Sequence, residues 1–282
     1  MRASRTAAAR LRKMHDRLAK VYGPQHWWPA ETALEVIVGA YLTQNTAWTV
    51  VERSIENLRR AGVLSLEGLR SISLDRLRRL IRPSGFYTRK APAIKAFVAM
   101  LDGEFSGSLE AMAAAPTAEL RKWLLALPGV GPETADAILL YALGHATPVA
   151  DEYLRRIALR HGLLKPAPGR ASIPYDALTE LTRLAFAGDP PSSQAQLFNE
   201  FHALTVVVGK AHCGRAARCE GCPLEYDLSV SPIHFRKSAE IDGAQALSSQ
   251  LSALPARKSI ELTPFREFVG RAKKKPKGMA EG

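Results

Sequence analysis

Between residues 127 and 156 the chain reads LPGVGPETADAILLYALGHATPVADEYLRR: a glycine-punctuated turn, an apolar helical run, a second turn and then a lone acid, Asp151. Gly129 and Gly131 lack a Cβ, so the backbone can turn sharply there and lie close to a ligand. Pro132 suits the first position of a helix, where a missing N–H costs nothing. The free N–H groups of such a helix start, aided by the helix dipole, suit an anion such as a phosphodiester. Taken alone, a Gly-Val-Gly before a helix is as often only a tight turn.

The rest of the chain repeats the helical theme. Apolar residues at three- and four-residue spacing predict helices over 32–41 and 47–61. A further helix begins at Ser73 and is broken at Pro83-Ser84-Gly85. It resumes over 89–101, and another helix over 117–126 runs up to the Leu127–Gly131 turn. Beyond Asp151 the pattern predicts helices over 152–161, near 175–187 and over 193–208, with a Pro/Gly-rich loop at 165–170. The N-terminal segment has Leu11, Met14, Leu18 and Val21 on one helical stripe. No stretch alternates as a strand would, so the class is all-α.

The 282 residues suffice for one large domain or two modest ones, and a net charge of +12 favours an acidic polymer as partner. No run of about 18 apolar residues is present, so no membrane span is expected. The Arg/Ala-rich start lacks the apolar core of a signal peptide, which implies a cytoplasmic protein. Three cysteines in such a compartment point to a metal site or its remnant, not to disulfides. From about residue 229 the composition offers little to bury and is basic, so this tail is expected to be disordered.

The turn, Pro148 and Asp151 together resemble the helix-hairpin-helix, Gly/Pro loop and aspartate of the endonuclease III superfamily of DNA glycosylases. WWP at 27–29, LTQNT at 42–46, RPSGFY at 82–87 and the GxGxExADAILxYA run are most similar to its 3-methyladenine glycosylase branch. The resemblance covers roughly residues 10 to 228. It implies two helical domains with DNA in the cleft between them. One comprises residues 1–30 plus 146–228, the other residues 31–145, and 229–282 form the tail. Double-stranded DNA containing damaged bases is the implied partner, bound by a monomer at the nucleoid.

The same resemblance implies roles for individual residues. Leu127, Gly129, Val130 and Gly131 form the DNA-holding hairpin turn, and Asp151 is the catalytic acid; it is also placed to cap the helix starting at Glu152. A buried carboxylate there can stabilise the positive charge that builds on the deoxyribose as a base leaves. Family members that also cut the strand carry a lysine where this chain has Glu133. A carboxylate cannot form the Schiff base that strand cleavage needs, so base removal without an efficient lyase step is expected. Glu133 either orients the base or is a surface residue of the first helical turn. Gln44 matches the residue that fills the gap left by a flipped nucleotide, and Phe86 the apolar wedge, with core packing the alternative for Phe86.

Trp27, Trp28 and Trp48 fall near the implied base pocket. Core packing would account for them, as would attraction of a cationic alkylated purine to indole faces. His202 and Lys210 also fit the branch, with Lys210 either reaching the pocket or a phosphate, or solvated. Cys213, Cys219 and Cys222 resemble the family's [4Fe-4S] loop, but Leu228 stands where the fourth cysteine belongs. His212, Asp227 and His234 are the substitute ligands available; otherwise the site is empty or holds zinc. The reading is a monofunctional glycosylase of base excision repair acting on alkylated purines. The alternatives are an endonuclease III-type enzyme for oxidised pyrimidines and a non-catalytic hairpin DNA-binding protein.

Overall fold

The computed structural model describes residues 4–228. Its helices, in chain order, are α1 (Arg5–Tyr22), α2 (Ala33–Leu42), α3 (Trp48–Arg60), α4 (Leu66–Ser71), α5 (Leu74–Leu80), α6 (Tyr87–Phe105), α7 (Leu109–Ala113), α8 (Thr117–Ala126), α9 (Pro132–Ala137), α10 (Glu152–Arg160), α11 (Tyr175–Ala185), α12 (Pro191–Ala211) and α13 (Glu225–Leu228). Among the described residues the only β pairing is an isolated bridge between Cys213 and Ala217, as an all-α chain requires. None of the described helices is long and apolar enough to cross a membrane.

Side-chain caps explain where many helices start. Ser4, Thr32, Ser65, Ser73, Ser108 and Asp151 each accept the backbone N–H three residues on, satisfying a donor that the helix itself cannot pair. The short helices α4 and α7 were not foreseen from periodicity; each buries a single apolar residue, Leu69 and Met112. Helix α6 extends past the expected 89–101 at both ends and tolerates Pro92 in its interior. In α1 the buried stripe is Leu11, Met14 and Leu18 with Ala7 and Ala8, but Val21, expected on it, is 48% exposed. The helix ends at Gly23, and its last turn packs on the second core through Ala19 and Tyr22 instead.

Two hydrophobic cores result. One gathers side chains from α2 through α9, among them Ile37, Leu42, Leu58, Leu77, Phe97 and Leu101. The other joins α1 to α10, α11 and α12 through Leu11, Met14, Leu154, Leu178, Phe186 and Phe201. Burying each such side chain contributes about 1.5–3 kcal/mol relative to leaving it in water. The segment after α9 belongs to both. Ile138–Ala142 continues α9 as a wider π turn, closed by the Leu143 N–H on Ile138 O. Ile138 and Leu139 pack into the first core, Leu140 and Tyr141 into the second. The tail from residue 229 lies outside the described residues.

Candidate active site

A pocket of about 710 Å³ opens where the two cores meet, lined from α2, the loop 43–47, α3, α9, α10 and α12. Two glycines shape its walls. A Cβ on Gly39 would touch the Trp28 indole at 3.4 Å, and one on Gly209 would fall 2.2 Å from the Tyr153 ring. The Gly39 contact is an ordinary one, whereas at Gly209 any side chain would force the Tyr153 ring to move.

Asp151 sits at the start of α10 and is 8% exposed. Its two oxygens are used differently. Oδ1 accepts the Leu154 N–H at 2.8 Å, which is the cap of α10. Oδ2 lies 3.7 Å from His202 Nε2, and the other imidazole nitrogen, Nδ1, is hydrogen-bonded to the Tyr141 hydroxyl. Burial, then the charges of Asp151 and Glu200, push the Tyr141 phenol well above its ordinary pKa, so it is protonated. Capping and facing the pocket are therefore both properties of Asp151.

Glu133 stands on the first turn of α9, solvent-accessible as a residue yet lining the same pocket. Lost hydration there, and then the charge of Asp151, raise its carboxyl pKa; His202 and Arg155 oppose the shift. Trp27, Trp28 and Trp48 all line the pocket. They pack edge to face: Trp28 meets Trp48 at a centroid distance of 5.3 Å and 86°, and Trp27 at 6.0 Å and 65°. Lys210 also lines it, with Nζ 6.0 Å over the Trp27 ring.

The hairpin turn is built as its glycines suggested, with one difference. Gly129 takes φ +75°, a left-handed value that glycine adopts freely, whereas Gly131 is extended at φ −95° and caps α9. A Cβ at Gly131 would meet no protein atom within 4 Å, so its lack of a side chain matters only to what approaches from outside. Val130 is buried in the first core and Leu127 packs against it. These two side chains anchor the turn from inside.

Gln44 ties the pocket loop to the hairpin, its amide donating to Gly129 O at 2.9 Å and Thr134 Oγ1 at 3.0 Å. Phe86 is 59% exposed with φ +47°, so the core alternative is excluded. Lys90, which sequence reasoning missed, is buried beside it. Its ammonium donates to Leu42 O, Thr46 Oγ1 and Ser84 O at 2.8–2.9 Å, and burial lowers its pKa to about 8. It pins the Gln44 loop to the Phe86 loop. Also missed was Asp136, 1% exposed, which accepts from Arg121 on α8 and from Tyr175 at the start of α11. That cluster braces the hairpin from behind.

The cysteine loop offers three thiols, one short of the four that ordinarily hold a [4Fe-4S] cluster. Cys213 is buried and accepts from Arg160 Nη1 at 3.0 Å, while Arg160 Nη2 donates to Gly214 O and Arg215 O. Burial pushes the Cys219 and Cys222 thiols up. Of the substitute ligands, Asp227 is engaged by Arg10 and His161, His212 Nδ1 meets Arg218 O, and His234 lies outside the described residues. Among the described residues no three His, Cys, Asp or Glu side chains are grouped to hold a metal ion. Arginine and aspartate contacts hold this loop.

Comparison with known proteins agrees with this geometry. The model of the HhH-GPD superfamily of base excision DNA repair proteins matches residues 38–180. A putative DNA repair glycosylase of Methanocaldococcus jannaschii is 40% identical over 220 residues, covering 77% of this chain and 95% of that protein. The chloroplastic endonuclease III homolog 2 of Arabidopsis thaliana is 28% identical over 209 residues, covering 72% of this chain and 51% of its own length. Among solved structures, the H. pylori 3-methyladenine DNA glycosylase bound to 1,N6-ethenoadenine gives a TM-score of 0.61 at 30% identity, covering 73% of this chain and 97% of that one. A trapped endonuclease III–DNA covalent intermediate also gives 0.61, at 21% identity, over 78% of this chain and 94% of that one; this likeness is one of fold.

Proposed function

The chain belongs to the HhH-GPD superfamily of base excision DNA repair proteins and is a DNA glycosylase, and from its pocket we propose that it is monofunctional and removes alkylated purines. The observation that carries the proposal is Glu133. A carboxylate stands in the pocket with Asp151 where the family resemblance implies an amine in strand-cutting members, so this position offers no nucleophile for a Schiff base. Hydrolysis is the reaction this carboxylate pair supports.

The wall of the pocket supports the substrate class. Alkylation at N3 or N7 gives a purine a positive charge, and an indole face attracts a cation by about 0.5–2 kcal/mol. Trp28 and Trp48 line the pocket beside two carboxylates, Glu133 and Asp151, which add to that attraction. Trp27 already has Lys210 over its face, so it contributes less. The H. pylori relative is named for 3-methyladenine, which is consistent with the same class. In the proposed complex the hairpin backbone from Gly129 to Gly131 holds the phosphates of duplex DNA. The base enters the pocket, Gln44 and Phe86 occupy the opened stack, and Asp151 stabilises the sugar cation.

Borohydride trapping on a panel of duplexes tests this reading. Wild-type protein should release methylated purines and form no covalent adduct with an abasic site. An adduct that survives in wild type and disappears in Lys210→Ala would make Lys210 a lyase nucleophile and overturn the monofunctional assignment. Efficient release of oxidised pyrimidines, with none of methylated purines, would overturn the substrate class.

A further inference from the structure

Asp151 and His202 converge on the pocket from α10 and α12. We propose that Asp151 Oδ2 and His202 Nε2 together hold the hydrolytic water, with Tyr141 fixing the imidazole so that Nε2 carries the proton. This rests on the hydrolytic reading above and adds to it the place from which the water attacks.

The geometry leads there in three steps. Oδ1 of Asp151 is committed to Leu154 N–H, so Oδ2 is the oxygen left for chemistry. His202 Nε2 stands 3.7 Å from it, too far for a direct hydrogen bond. Two polar atoms at that separation can both reach one water at about 2.7–3.2 Å from each. Finally, the Tyr141 hydroxyl is buried and protonated, and its hydrogen-bond partner is His202 Nδ1. A buried phenol must donate, so in the neutral imidazole Nδ1 is the acceptor and Nε2–H points at the water position. The π turn Ile138–Ala142 carries Tyr141 to this contact, a use for a helical irregularity that such turns often have near functional sites.

The reaction balances with these groups. The C1′–N bond breaks and its electron pair goes to the alkylated base, which sheds its positive charge and leaves neutral. The water donates one hydrogen bond to Asp151 Oδ2 and accepts one from His202 Nε2–H, leaving a lone pair for C1′. As the C1′–O bond forms, Asp151 takes the water's proton and returns it to solvent. His202 changes neither charge nor tautomer; it acts by touching the nucleophile. Tyr141 is a positioning residue.

The test uses the full chain in single turnover on a duplex bearing one methylated purine, in buffer containing a fixed fraction of methanol. Both the rate of base release and the share of product carrying a methyl glycoside are read. His202→Phe keeps the ring volume without the donor, and it should slow release by about 10²-fold or more. It should also raise the methyl-glycoside share, because the water is no longer held against its competitor, while affinity for an abasic-analogue duplex is unchanged. His202→Gln, whose amide restores an N–H near Nε2, should recover much of both. Tyr141→Phe should raise the methyl-glycoside share as well. A slow His202→Phe with wild-type partition would show a merely structural role, and a wild-type rate would remove any role; either overturns the proposal. Failure of the underlying reading looks different: wild type itself would release no methylated purine.

Discussion

Replacing Asp151 separates catalysis from folding, because one side chain serves both through different oxygens. Asp151→Asn keeps an acceptor at the position of Oδ1, so the 2.8 Å bond to Leu154 N–H survives and the cap is as good as before. Asp151→Ala loses it, at a cost of about 1 kcal/mol, or roughly 2–4 °C in Tm for a domain of this size. Both lose the charge that stabilises the sugar cation. Removing one preorganised electrostatic contact of this kind costs about 2.7–4 kcal/mol of barrier, hence a loss of 10²–10³-fold in single-turnover base release. Thermal melts and release of methylated purine from a duplex measure the two effects on the same samples. Asn should melt with wild type, Ala below it, and both should be nearly inactive. An active Asp151→Asn would refute the catalytic role. An Asn variant as unstable as Ala would refute the division of labour between the oxygens.

Glu133 carries a raised pKa, so it holds its proton to higher pH than a free glutamate at 4.5, and its ionisation should appear as a rising limb in release of a cationic base. Glu133→Gln should flatten that limb; a limb that persists belongs to another group. The same shift makes Glu133's contribution to stability greatest below pH 4.5 and lost as pH rises through its folded value, because the folded chain binds the extra proton. Lys90 has the opposite sign. Its pKa falls to about 8 from 10.5, so the unfolded chain binds more protons between those values, and wild-type stability should rise across that window relative to Lys90→Met in urea titrations. A constant difference would mean that the ammonium is not desolvated. Phe86→Ala should change stability by less than about 0.5 kcal/mol, since the ring is 59% exposed, and should weaken binding to an abasic-analogue duplex more than to intact DNA. Equal effects on the two duplexes would deny the wedge role. Serine at Cys213, Cys219 and Cys222 should leave the fold and base release intact, and anaerobically purified protein should lack the broad absorbance of an iron–sulfur cluster; brown protein that loses stability with the serines would contradict the arginine-held loop.

The helices that were legible in the chain are mostly those with a long periodic face, capped or not. Thr32, Ser73 and Asp151 mark starts, and α3 shows its buried Val51, Ile55 and Leu58 at helical spacing. Helices α4 and α7 are too short for periodicity to register, and only their serine caps signalled them. In the site, Asp151, Glu133, Gln44, Phe86 and the three tryptophans were legible through local motifs. Partnerships were not. Tyr141 and His202 are 61 residues apart and Lys90 and Leu42 are 48 apart, and no spacing rule connects them. The π turn was equally invisible, because it differs from an α-helix in hydrogen bonding and not in apolar pattern. Lys90 read as one more basic residue on a helix; only packing shows that its charge is buried among carbonyls.

The central claim is hydrolytic removal of an alkylated purine without strand cleavage. It is tested most directly by incubating the full chain with a duplex that holds one N3- or N7-methylated purine and resolving the DNA with and without subsequent alkali. The account predicts free methylated purine in solution, an intact strand before alkali, and cleavage at the former purine only after it. A strand already cut before alkali, or a purine that stays attached, would contradict it.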